Sequence, residues 1–215
     1  MSFCLSYLGK LAGSQGDMPA ARRFLEESLA INREGGDSAG IARSLEYLGT
    51  LAADQADYMA ARSLYEECLA IRQELGDRRG IAVCLEQLAG VEIGLGDRVR
   101  AAPEREAAEN GNGRTRGARS RFAGEIPGSL PARCHYERAA RLLGAAKVLR
   151  EAIGAPMPPA ERTADERSMT VVRAALGEAV FAAAWSGGQS LSLAQVIGSA
   201  RSSAAGTAAD APRGE

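Results

Sequence analysis

Several things are scarce in this chain of 215 residues, and each absence closes a class of function. There is one histidine, and the four cysteines (Cys4, Cys68, Cys84 and Cys134) lack the paired spacing of a zinc site or a disulfide framework. No apolar run approaches the roughly eighteen residues of a membrane span. The first residues lack the basic and apolar regions of a secretory signal. The chain therefore reads as cytoplasmic and reduced, away from membranes. A net charge of −1 gives no overall pull toward nucleic acid. There is no G-x-x-x-x-G-K-[ST] phosphate loop and no G-x-S-x-G elbow. Glu26-Glu27 and Glu66-Glu67 are adjacent carboxylates, but neighbours on a helix point apart, so they read as solvated faces. Catalysis, a metal and a cofactor are all unsupported.

What the chain does have is a repeat. Residues 43–82, RSLEYLGTLAADQADYMAARSLYEECLAIRQELGDRRGIA, lie over the sequence forty residues earlier without a gap. Leu5, Tyr7, Leu8, Gly9, Leu11 and Ala12 fall on Leu45, Tyr47, Leu48, Gly49, Leu51 and Ala52. Ala20, Ala21, Arg22, Glu26, Glu27, Leu29, Ala30 and Ile31 fall on Ala60, Ala61, Arg62, Glu66, Glu67, Leu69, Ala70 and Ile71. A fixed period of this size means stacked units, none able to bury its apolar face alone.

Each unit reads as two helices. Leu45, Leu48, Leu51 and Ala52 recur at helical spacing, with Gly49 where a neighbour comes close. Gln55-Ala56-Asp57 turns the chain. Ala61, Leu64, Tyr65, Cys68, Leu69 and Ile71 then form an apolar side, with Glu66, Glu67, Arg72 and Gln73 expected outside. Gly76-Asp77 ends the helix. Cys4, Cys68 and Cys84 share registers with Ser44 and Ser28, which makes all three small-residue packing positions. L-x-x-L-G, a small residue three on, then A-A-R after the turn resembles the tetratricopeptide repeat, with Leu5 or Leu45 in place of its usual tryptophan. The chain opens directly inside such a helix and reads as a cut edge of a longer array.

The third unit starts in register with Ile81, Leu85, Leu88, Ala89 and Val91, and Gly96-Asp97 repeats the turn. Pro103 follows Arg100-Ala101-Ala102, at a cost of about 3 kcal/mol inside a helix. The pattern then fails, giving way to NGNGRTRGARSR and GEIPGSLPAR. The expected division is repeats over 1–101, a disordered basic linker over 102–135, capping helices over 136–198 and a disordered tail over 199–215. Residues 98–136 carry 8 Lys/Arg against 4 Asp/Glu, whereas residues 1–97 carry 9 against 15. RTRGARSR resembles arginine-rich, glycine-spaced segments that bind RNA, but Phe122 is the one aromatic nearby to stack on bases, so a solvated run is the reading preferred over RNA binding. Cys134-His135 falls in this linker as ordinary chain. Ala139-Ala140-Arg141 resumes the repeat almost one period after Ala101. Two readings of 102–135 stand: a genuine basic linker, or the product of compensating frameshifts that kept length and lost pattern. On the second, residues 136–197 form a separate helical cluster, docked loosely.

Beyond Tyr136, a helix with Leu142, Leu143, Ala146, Leu149 and Ile153 precedes the prolines at 156, 158 and 159. Helices follow over Ala160–Leu176 and from Glu178 to Trp185, then a turn at Ser186-Gly187-Gly188 and a last short helix through Ile197. ERAARLLGAAKVLREAIGAPMPPAER and RAALGEAVFAAAWSGGQSLSLAQVI resemble the C-terminal end of large bacterial signalling ATPases, notably transcriptional regulators of the LuxR-like or winged-helix type. That resemblance implies a sensing and protein-binding region, with ATP handled by an upstream domain as partner. The chain lacks the motifs for ATPase or DNA-binding activity, so neither is carried over.

The expected fold is therefore all-α: a tetratricopeptide-like helical-hairpin solenoid, interrupted, then a small C-terminal helical cluster. In the family the first helices line a concave groove. Here the resemblance places Ser6, Lys10, Ser14, Arg43, Glu46, Thr50, Asp54 and Glu86 on it, facing a protein or peptide. A small effector closing the groove is the alternative, and a decayed, non-functional fragment a third.

Overall fold

Asp17, Asp37, Asp57 and Asp77 stand twenty residues apart, and each ends one helix and begins the next. Their backbone N–H groups donate to Ala12, Asn32, Ala52 and Arg72 carbonyls at 2.9–3.0 Å, closing the outgoing helix. Their carboxylates accept from the amides of Ala20, Gly40, Ala60 and Gly80 at 2.9–3.2 Å, capping the incoming one. The residue before each has positive φ: Gly16, Gly36 and Gly76, and Ala56 at 57°. These corners separate α1 (Ser2–Ser14), α2 (Met18–Gly35), α3 (Ser38–Asp54), α4 (Tyr58–Glu74) and α5 (Arg78–Glu109).

The computed structural model describes residues 2–109 and 130–201, and among them the chain is helical with no strand. After α5 come α6 (Ala132–Ala152), α7 (Pro159–Leu176), α8 (Glu178–Ser190) and α9 (Leu193–Arg201). The helices α1–α2, α3–α4 and α5–α6 pack as antiparallel hairpins, and α2 against α3 and α4 against α5 stack them into an all-α helical-hairpin solenoid. The core runs through every joint. Leu25, Leu45, Tyr65, Leu69, Ile81 and Leu85 are fully buried, so most of the apolar positions read from the repeat are core. Gly49 has the close approach its position implies, since a Cβ there would lie 2.6 Å from Tyr65 Cε1.

Several expectations need correction. Gly96-Asp97 does not turn. Instead, α5 continues through Pro103 to Glu109, eight residues beyond the expected boundary at 101. Gly96 is occupied by the Tyr136 ring, which a Cβ would approach to 3.0 Å, and Asp97 accepts the Tyr136 hydroxyl at 2.6 Å. That carboxylate holds another helix and caps none. The 102–135 stretch lies outside the described residues between 110 and 129. At its far end α6 already begins at Ala132, so Cys134 and His135 are helical.

The region after Tyr136 is not a loosely docked cluster. Helix α6 runs along α5 as the second helix of the third hairpin. Buried Glu92 on α5 ties them. Its Oε1 lies 2.7 Å from Arg62 Nη2 and 3.4 Å from Arg138 Nε, and its Oε2 lies 2.6 Å from His135 Nδ1. Removing one member of such a buried charge group costs about 3–5 kcal/mol. On its other side α6 meets α8 backbone to backbone. A Cβ at Gly188 would lie 2.0 Å from the Arg141 carbonyl oxygen, and one at Gly144 2.5 Å from that of Trp185. Ser186-Gly187-Gly188 is accordingly helix and not turn, its glycine serving the crossing.

Two side chains lie on the other side from their expected places. Cys4 is exposed: on α1 the face bearing Cys4, Leu8 and Leu11 is covered by no helix among the described residues, whereas Ser44, Leu48 and Leu51 on α3 are buried, α3 having α2 stacked against it. Arg72, expected outside, turns inward. It donates to Cys68 Sγ at 3.3 Å and Asp77 Oδ2 at 2.6 Å, and pairs with Glu46.

Candidate functional site

The first helices of the three hairpins, α1, α3 and α5, form the wall of a channel of about 530 Å³. The forty-residue period puts equivalent positions side by side along it: Lys10, Thr50 and Gly90; Glu46 and Glu86; Tyr47 and Gln87; Ser14 and Asp54. Leu25, Leu51, Val83 and Leu143 supply the apolar floor, and Met157, Ala164, Asp165 and Ser168, at and before α7, close one side.

Six of the eight side chains expected on the groove line this channel: Lys10, Ser14, Glu46, Thr50, Asp54 and Glu86. Ser6 does not. It is buried between helices, its Oγ 2.7 Å from Ser28 Oγ and 3.5 Å from Ser44 Oγ. Arg43 also lies outside the lining, its guanidinium 4.8 Å over the Phe3 ring.

The lining carboxylates are held in place from behind. Arg72 of α4 pairs with Glu46, and Arg150 of α6 grips Glu86 with two parallel bonds, Nε to Oε1 at 2.5 Å and Nη2 to Oε2 at 2.7 Å. Thus α6 stands to α5 as α4 stands to α3. Tyr65, fully buried, brings its hydroxyl to 3.1 Å from Thr50 Oγ1 and 3.3 Å from Gln87 Oε1, orienting both. Burial pushes the Tyr65 phenol well above its ordinary range, so it stays a neutral donor. Lys10 Nζ sits 5.3 Å from the centre of the Tyr47 ring, and the Tyr7 and Tyr47 rings meet edge to face at 6.3 Å. Asp165 faces the channel from α7. Burial first, and then the charge of Glu86 across the channel, raise its carboxyl above the usual range.

Sequence reasoning missed Tyr47, Gln87, Asp165, and the pinning arginines Arg72 and Arg150. Tyr47 and Gln87 were reachable, because they occupy one repeat register beside Glu46 and Glu86. Asp165 carried no such signal: α7 lies outside the period. Among the described residues, no group of three or more His, Cys, Asp or Glu could hold a metal ion, and no helix is long and apolar enough to cross a membrane.

Neither the curated proteins nor the solved structures contain a match to the chain. Residues 2–74, the first two hairpins, match the tetratricopeptide repeat family, whose stacked helical pairs present concave surfaces to other proteins.

Proposed function

We propose that the chain is a non-catalytic protein-binding module, in which the channel along α1, α3 and α5 takes a linear segment of a partner protein. The observation that carries this reading is the period of the wall. An elongated occupant meets equivalent positions at each hairpin, as in Lys10, Thr50 and Gly90. The polar groups of the wall are already fixed by Arg72, Arg150 and Tyr65, so less ordering is left for binding to offset.

The pattern of the C-terminal third supports a more specific setting. In that reading the module belongs to a cytoplasmic bacterial regulator of the LuxR-like or winged-helix type, and its partner is the ATPase region of that system. Gly90 offers a clean test, because nothing lies within 4 Å of a Cβ placed there. A photo-crosslinking residue at Gly90 should capture the ATPase-bearing regulator in cells, while the same residue at exposed Ser63 on α4 should not. Equal capture from both positions would sink the channel reading, and capture of an unrelated protein at Gly90 alone would sink only the regulator setting.

A second reading has its own support. Between α6, α7 and α8 lies a hollow of about 630 Å³ with Leu143, Met157, Met169 and Trp185 around Lys147 and Arg150. Its size and mixed lining suit a small effector, and it shares Glu86 and Asp165 with the channel. An effector seated there would act on the same wall that meets the protein partner. Trp185 fluorescence would report its arrival.

A further inference from the structure

Building on the channel reading above, we infer that the segment it takes is cationic, presenting lysine or arginine side chains to the carboxylates of the wall. Four lining groups, Glu46, Asp54, Glu86 and Asp165, are acceptor-only when ionised, and Lys10 alone is donor-only. The lysine is already engaged over Tyr47. Arginines answer Glu46 and Glu86 from behind, whereas Asp54 is exposed and Asp165 half-buried at the channel. An occupant rich in acceptors would meet a surface of acceptors.

The backbone adds to the same sign. Ser14 and Asp54 are the last residues of α1 and α3, and both helices deliver their carbonyl ends to this edge with no basic residue in the last turn. A carboxylate at a helix C-terminus is unfavourable with respect to the helix dipole. Asp54 thus makes an already negative edge more so. Across the channel Glu86 and Asp165 repel one another. A cation between them offsets that repulsion and favours the charged form of Asp165, as Arg150 and Lys147 already do in part. The surrounding half agrees in sign, since residues 1–97 carry 15 acidic against 9 basic residues, enough to steer a positive partner toward the channel.

The test uses the full chain and three labelled peptides of one length, with Lys, Gln or Glu at alternate positions, read by fluorescence anisotropy at low and high salt. The Lys peptide should bind, and should bind about tenfold more weakly at high salt. The double substitution Asp54→Asn and Asp165→Asn should weaken it about tenfold with unchanged helical content, and Gly90→Trp should abolish it. If the Gln peptide binds as well as the Lys peptide and Gly90→Trp still blocks it, the channel reading survives and the cationic inference falls. Tighter binding of the Glu peptide has the same meaning. Binding of the Lys peptide that ignores Gly90→Trp places it elsewhere on the acidic surface and overturns both. Absence of binding by all three also overturns both.

Discussion

The Cys68 and Cys84 sulfurs lie 3.4 Å apart, buried between α4 and α5. Forty residues earlier, between α2 and α3, the Ser28 and Ser44 hydroxyls lie 3.1 Å apart in the same place. Asn32, which reaches both serines, is replaced forty residues on by Arg72, which reaches Cys68. One joint geometry is thus built once from hydroxyls and once from thiols. The thiols are unequal. The hydrogen bond from Cys84, and then Arg72, pull the Cys68 thiol down against its burial, while the bond to Cys68 and then burial push Cys84 up.

That equivalence makes the joint exchangeable. Replacing both Cys68→Ser and Cys84→Ser should cost less than about 1.5 kcal/mol, because each new hydroxyl finds a partner in Arg72, in Ala42 O, or in its neighbour. Urea unfolding of the double variant measures it. A loss of 3 kcal/mol or more, by the usual scale of core damage, would mean that the two joints are not alike.

Ala56 is the outlier among the four corners. Its φ of 57° is one that glycine adopts freely and that costs other residues about 1–2 kcal/mol. Gly16, Gly36 and Gly76 hold the corresponding places. Ala56→Gly should therefore raise stability, by about 0.5–1 kcal/mol once the greater freedom of glycine in the unfolded chain is counted. A fall in the urea midpoint would show that the corner carries no strain.

Leu8 and Leu48 occupy one register with opposite surroundings. Leu48 is 7% exposed, and Leu8 is 46% exposed. Leu48→Ala should cost about 2–5 kcal/mol, and Leu8→Ala less than about 1 kcal/mol. Equal losses would show that a further surface covers the α1 face in solution.

The contrast also shows what a repeat makes legible. Within the forty-residue symmetry most apolar positions and the close approach at Gly49 follow from residue spacing, while the six groove positions that line the channel come from the resemblance to the tetratricopeptide repeat. It fails where a local signal is overruled by a partner distant in sequence. Gly96-Asp97 has the composition of a corner, yet Tyr136 covers the glycine and takes the carboxylate. Ser186-Gly187-Gly188 reads as a turn, yet α6 needs that missing side chain for a backbone contact. Arg72 has the spacing of a surface residue, and Glu46 across the hairpin draws it inward, alongside Cys68 and Asp77. In each case the deciding contact spans an interval that no window of local pattern contains.

Tyr136 supplies the last prediction, because it fastens the third hairpin with a group that titrates. Burial first, and then the bond to Asp97 with its negative charge, push the phenol up to about 12, with Arg100 opposing. The unfolded chain releases this proton near pH 10, before the folded one does. The neutral form is the one the fold favours. Its stabilising contribution is therefore complete below about pH 10 and is lost as the pH rises toward about 12. At neutral pH Tyr136→Phe should cost about 1 kcal/mol, the worth of one such hydrogen bond. Exposed Asp97 is left to water, which limits the loss. Between pH 10 and 12 the gap between the natural chain and the variant should narrow as the phenolate forms and is repelled by Asp97. Urea midpoints of both chains measured across that range decide it. A gap that stays constant or widens would mean that Asp97 and Tyr136 do not meet in solution, and that the polar ties of α6 to α5 are the Glu92 and Glu86 contacts.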